Sequence, residues 1–134
     1  MSDKRKISFT SGSITIDGIL NETETAKKIW SSLPLDSSVN TWGDEIYFSI
    51  PVDNELENSK EVVDLGDIGF WPPGNAICLF FGPTPISAEG EIRPASSVNI
   101  VGKLIGNLHY YRAMAKHLTL EVFCLNKSKI DSSV

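Results

Sequence analysis

Residues Gly66–Pro83 read GDIGFWPPGNAICLFFGP, and their reading decides the fold. Asp67–Trp71 and Ala76–Phe81 are rich in Ile, Leu, Phe and Trp, residues that suit a pleated, mostly buried surface. Between them, Pro73 holds its φ at about −65° and Gly74 can take positive φ, which together predict a forced turn. The segment is therefore expected to be a hairpin of two buried strands. Adjacent residues of a strand point to opposite faces, so Phe70 and Trp71 cannot both enter one core, and neither can Phe80 and Phe81. One member of each pair faces outward or is covered from outside. Outward aromatics beside prolines can form an apolar groove.

Further strands and helices follow on either side. Ile7 and Phe9, then Ile14 and Ile16, flank Ser11-Gly12 as in a β-hairpin. In Asn21–Leu33, Ala26, Ile29, Trp30 and Leu33 fall on one helical stripe. Asn21 is the expected cap, with Glu24 completing a capping box, and Pro34 stops the helix. Ser37–Gly43 reads as a polar link. Glu45–Pro51 alternates, with Ile46, Phe48 and Ile50 on one face and Glu45, Tyr47 and Ser49 on the other. Asp53–Lys60 reads as a solvated loop, Val62-Val63 as a short strand and Thr84–Ser97 as an irregular excursion. Val98–Leu104 and Leu118–Leu125 are the closing strands. Between them Asn107–His117 is the second helix, capped by Asn107. This pattern predicts a mainly β barrel or sandwich in a single domain over 1–134, with residues 1–5 and 127–134 flexible.

Composition narrows the function. The chain has 134 residues and a formal net charge of −5, which argues against non-specific binding to nucleic acid or anionic membrane. No apolar run approaches the roughly 20 residues of a bilayer span. The expectation is a cytoplasmic protein with no cofactor and no metal. Cys78 and Cys124 sit in apolar strand patterns and are expected to be buried thiols. His109 and His117 lie on or beside one helix without a metal-binding context. Asp44/Glu45 and Asp64/Asp67 could face one another as carboxylates, though solvated strand ends are the simpler expectation.

Three stretches carry a resemblance: NTWGDEIYFSIPV (Asn40–Val52), VVDLGDIGFWPPGNAICLFFGPTP (Val62–Pro85) and PASSVNIVGKLIGNLHYYRAM (Pro94–Met114). In this order they resemble the small bacterial and archaeal branch of the cyclophilin-like superfamily. The resemblance implies a closed eight-stranded β-barrel with two short helices, its interior filled by side chains and its ligand groove on the outer face. In true cyclophilins a proline ring enters an apolar pocket there, beside an arginine that weakens the prolyl amide resonance. The strand matching the arginine's place, Thr41–Pro51, holds no Arg or Lys. The chain contains no Gln, and the place of the cyclophilin histidine matches Val98 or a neighbouring serine.

The resemblance thus leaves an apolar groove without the usual isomerase residues. Tyr47, Trp71, and Phe80 or Phe81 are expected to line it, with Asn75, Ser97 and Asn99 as polar contacts. A proline-containing peptide or a small apolar ligand is the expected partner. Two alternatives stand beside it: a weak prolyl isomerase with Arg93 as substitute electrophile, and an assembly protein, such as a homodimer, joined through exposed aromatics.

Overall fold

The computed structural model describes residues 4–106, 108, 111–116 and 119–126. Asn107, His109 and His117 lie outside them, as do residues 1–3 and 127–134 of the stretches 1–5 and 127–134 expected to be flexible; Arg5 opens the first strand. Among the described residues, nine strands form one sheet: β1 (Arg5–Ser11), β2 (Ile14–Leu20), β3 (Leu35–Ser38), β4 (Asn40–Trp42), β5 (Glu45–Ser49), β6 (Asp67–Trp71), β7 (Ala76–Phe80), β8 (Asn99–Ile105) and β9 (Thr119–Cys124). Two helices accompany them, α1 (Glu24–Ser32) and α2 (Tyr111–Ala115).

The order across the sheet is β3-β9-β1-β2-β8-β6-β7-β5-β4. Its two outermost strands are halves of one chain segment, parted only by Val39, so the sheet curls into a nearly closed barrel. Ser37 Oγ donates to the Ser49 carbonyl across the seam at 3.3 Å. The eight expected strands become nine because the segment changes partner at Val39, from β9 to β5. The stretch expected to be a polar link, Ser37–Gly43, is thus mostly strand.

Period-2 alternation decides which side chains fill the barrel. Ile46 and Phe48 of β5, Ile68 and Phe70 of β6, and Ile77 and Leu79 of β7 are fully buried in its core with Ile7, Phe9 and Val122. Phe9 and Phe48 meet edge to face at 6.3 Å, a favoured aromatic geometry. α1 adds Ala26, Ile29 and Trp30 to the same core. Its cap is Thr23, whose Oγ1 accepts from the Ala26 N–H at 3.1 Å. Asn21, the expected cap, stands one step back. Its Oδ1 accepts from the Thr23 hydroxyl and its Nδ2 donates to the Ile100 carbonyl.

The central hairpin forms between β6 and β7, pairing Gly69 with Cys78 and Phe70 with Ile77. Its turn is a 3-10 turn over Pro72–Gly74, and positive φ falls on Asn75 at 47°, not on Gly74. Gly74 is needed for closeness instead: a Cβ there would stand 2.8 Å from Trp71 Cζ3. Val62-Val63 is no strand; Val63 makes a single bridge to Ile92, and Lys60 makes another to Val98. Cys78 is buried and Cys124 only half-buried, and neither is in a disulfide.

Candidate binding site

The outer face of β4, β5, β7 and β6 carries the side chains that alternation turns away from the barrel interior. Gly43 (φ 61°) and Asp44 make a two-residue turn that pairs Trp42 with Glu45, and paired residues share a face. Tyr47 pairs with Cys78, which pairs on its other side with Gly69. Phe80, Cys78, Val63 and Val98 form a second buried cluster, with Tyr47, Trp71, Ile92 and Ile100 packed on it. Gly69 gives the Phe80 ring its space, since a Cβ there would lie 3.2 Å from that ring. Val63 and Ile92 bring a distant part of the chain onto this cluster.

Above this cluster lies a half-open cavity of about 320 Å³, lined by Trp42, Glu45, Tyr47, Trp71, Cys78, Pro94, Ala95 and Val98. Its volume sits at the lower end of the roughly 300–1,000 Å³ of small-molecule sites. The Trp71 indole N–H donates to Ser96 Oγ at 2.6 Å, which anchors the ring to the segment before β8.

The cyclophilin-like profile matches residues 5–122, nearly the whole chain. The chain belongs to the cyclophilin-like family. It is similar to the hypothetical protein AF2241 from Archaeoglobus fulgidus, whose solution structure shares 42% identity and a TM-score of 0.76. That similarity covers 90% of this chain and 94% of that one. The fold also matches the structure of McbB in complex with tryptophan, with 17% identity and a TM-score of 0.69. There 87% of this chain spans 44% of the other. Among proteins of curated function, none matches.

In this cyclophilin-like barrel the expected site residues divide. Tyr47 and Trp71 line the cavity. Phe80 is fully buried beneath it, whereas Phe81 packs on the main core. Asn75 is exposed at the hairpin turn and Ser97 is half-buried; neither lines the cavity. Asn99 is fully buried and belongs to another network. Its Oδ1 accepts from the Glu57 N–H at 2.7 Å, and its Nδ2 donates to Thr25 Oγ1 and to the Glu55 carbonyl. Asn99 thereby ties the 53–60 loop to the start of α1, and it does not line the cavity. Arg93 is held in a two-bond ion pair with Glu91, at 2.8 and 3.2 Å, and does not line the cavity.

The residue that reading by type missed is Glu45. It is only 5% exposed, not a solvated strand end. Its Oε1 is buried and has no hydrogen-bond partner among the described residues. Burial pushes its carboxyl up to about 7, against an opposing pull from a hydrogen bond with Cys78. Burial also drives the Cys78 thiol well above the usual range, and the Glu45 charge adds to that. Of the other carboxylates singled out, Asp67 accepts from Lys103 Nζ at 3.1 Å. Among the described residues, no group of acidic, His and Cys side chains could hold a metal ion. No described helix is long and apolar enough to cross a membrane. The Gly43-Asp44 dipeptide was the available signal, because such a turn puts Trp42 and Glu45 side by side.

Proposed function

We propose that this protein is a binding domain that takes a small, mainly apolar ligand in the outer-face cavity walled by Trp42, Tyr47 and Trp71. The observation that carries this reading is the cavity's form: half-open, aromatic on several sides and backed by the buried Phe80 cluster. Rigid aromatic walls give a ligand large contact area at little cost in side-chain freedom. The barrel interior is filled by Phe9, Phe48 and Phe70, which favours the outer face as the place for a ligand. A prolyl ring of a peptide would meet the same walls. An isomerase role for Arg93 draws no support, since its guanidinium is engaged by Glu91.

Tryptophan fluorescence reads the cavity directly, because Trp42 and Trp71 line it while Trp30 is buried with α1 in the barrel core. Titration with a small-molecule fragment set and a panel of proline-containing peptides is expected to give saturable quenching or shift with fragments, lost in Trp71→Ala. Saturation by peptides alone would replace the small ligand with a prolyl one. No saturable response to either set would overturn the binding role.

A further inference from the structure

Glu45 is a polar group without a local purpose. The turn at Gly43-Asp44 and the alternation of β5 place it among Trp42, Tyr47 and Cys78. It is 95% buried by the complement of its 5% exposure. Its Oε1 reaches no donor among the described residues. The Cys78 thiol shares the cavity wall with Glu45 and is at best a weak donor. Buried polar atoms are nearly always satisfied, so a cavity-lining carboxylate with one oxygen buried and unbonded points to a ligand that compensates its charge.

The surroundings select the ligand's chemistry. Of the residues lining the cavity, Glu45, Tyr47 and Cys78 can titrate, and none is Lys, Arg or His. β4 brings Trp42, and the segment before β8 brings Pro94 and Ala95. A neutral donor would leave the buried negative charge of the carboxylate uncompensated. An anion would be repelled by that charge. A cation supplies both the N–H donor and the opposite charge, and aromatic faces attract it further.

Resting on the binding role proposed above, we infer that the cavity takes a small organic cation: an ammonium on an apolar body, paired with the Glu45 carboxylate between the rings of Trp42, Tyr47 and Trp71.

Matched pairs of probes test this: aryl-alkyl and cycloalkyl ammonium compounds, each against the alcohol of the same skeleton, titrated by tryptophan fluorescence and calorimetry. At about pH 8 the wild-type protein is expected to bind the ammonium member roughly tenfold or more tightly than the alcohol. In Glu45→Gln the gap should close while alcohol binding persists. Lowering the pH to about 5.5 should weaken the ammonium and leave the alcohol unchanged, because a protonated Glu45 loses its charge. This pH series and the pair comparison need no variant, so they decide even where Glu45→Gln folds poorly. Alcohols binding as tightly as ammoniums in wild type would overturn the cation but keep the binding role. A gap that persists in a folded Glu45→Gln would overturn Glu45 as its cause. No binding by either member of any pair would overturn both.

Discussion

Glu45 and Cys78 stand on neighbouring strands β5 and β7 and share one wall of the aromatic-lined cavity on the outer face of the barrel. Glu45 makes the Cys78 thiol harder to ionise, whereas Cys78 opposes the upward push that burial gives Glu45. Burial is the larger cause for both, and the charge of Glu45 adds to the cost of a Cys78 thiolate.

This pair sets a pH dependence of stability. The folded Glu45 carboxyl titrates at about 7, above its ordinary value of 4.5, so the folded state holds a proton that the unfolded state has released. Stability is then undiminished below the ordinary carboxyl range and falls as the pH rises through about 7, by ~1.4 kcal/mol per pH unit between the two values. Above that the loss is constant. Urea unfolding at about pH 5 and pH 8 should show wild type losing stability over this window. Glu45→Gln should lose much less, because it has no proton to release.

Asn99 is expected to matter for folding and not for binding. Asn99→Ala would leave the Glu57 N–H and Glu55 carbonyl without their partners, at a cost of about 2–3 kcal/mol. Denaturant titration reads the loss. Hydrogen exchange should rise across residues 53–60, and fluorescence titration of the cavity should be unchanged.

Gly74 controls the position of the Trp71 ring. A Cβ at residue 74 would stand 2.8 and 2.9 Å from indole carbons, so Gly74→Ala must displace the ring and strain its bond to Ser96. A modest stability loss of about 1 kcal/mol is expected, with a clear shift of the Trp71 indole N–H resonance. An unmoved resonance would contradict the packing.

The α1 cap distinguishes two neighbouring residues. Thr23→Ala should cost about 1 kcal/mol and Thr23→Ser much less, because the serine hydroxyl can still accept from the Ala26 N–H. Thermal unfolding of the two variants checks this. Glu57 supports the same helix end, accepting from the Thr25 hydroxyl and from the Thr25 and Glu24 N–H groups. These bonds hold its carboxyl below the usual range.

Much of the barrel was legible residue by residue. Ile46 and Phe48 lie inside and Glu45 and Tyr47 outside because a strand repeats every two residues. Phe70 points in and Trp71 out for the same reason, and the first hairpin forms where expected, although its turn is Gly12-Ser13, since Ser11 still pairs with Ile14 as the last residue of β1. The family resemblance, carried by Asn40–Val52, Val62–Pro85 and Pro94–Met114, agrees with the profile over residues 5–122. Less was legible where partners compete. Asn21 and Thr23 are both good caps, and only the Ile100 carbonyl within reach of Asn21 assigns the cap to Thr23. The polar stretch at 37–42 becomes strand because β9 and β5 offer it backbone partners.

The sequence by itself determined the strand faces, the main hairpins and the family, since these rest on periodicity, turn chemistry and local motif. Only the tertiary structure decided which outward side chains would be covered. The chain around Val63, Ile92 and Pro94 returns from far along the sequence to roof part of the outer face. That return buries Phe80 and Glu45 alike, leaves Trp42, Tyr47 and Trp71 around a cavity, and moves Glu45 from a strand-end charge to a carboxyl that titrates at about 7. Burial of this kind is a contact between distant segments and has no period, so no local pattern announces it.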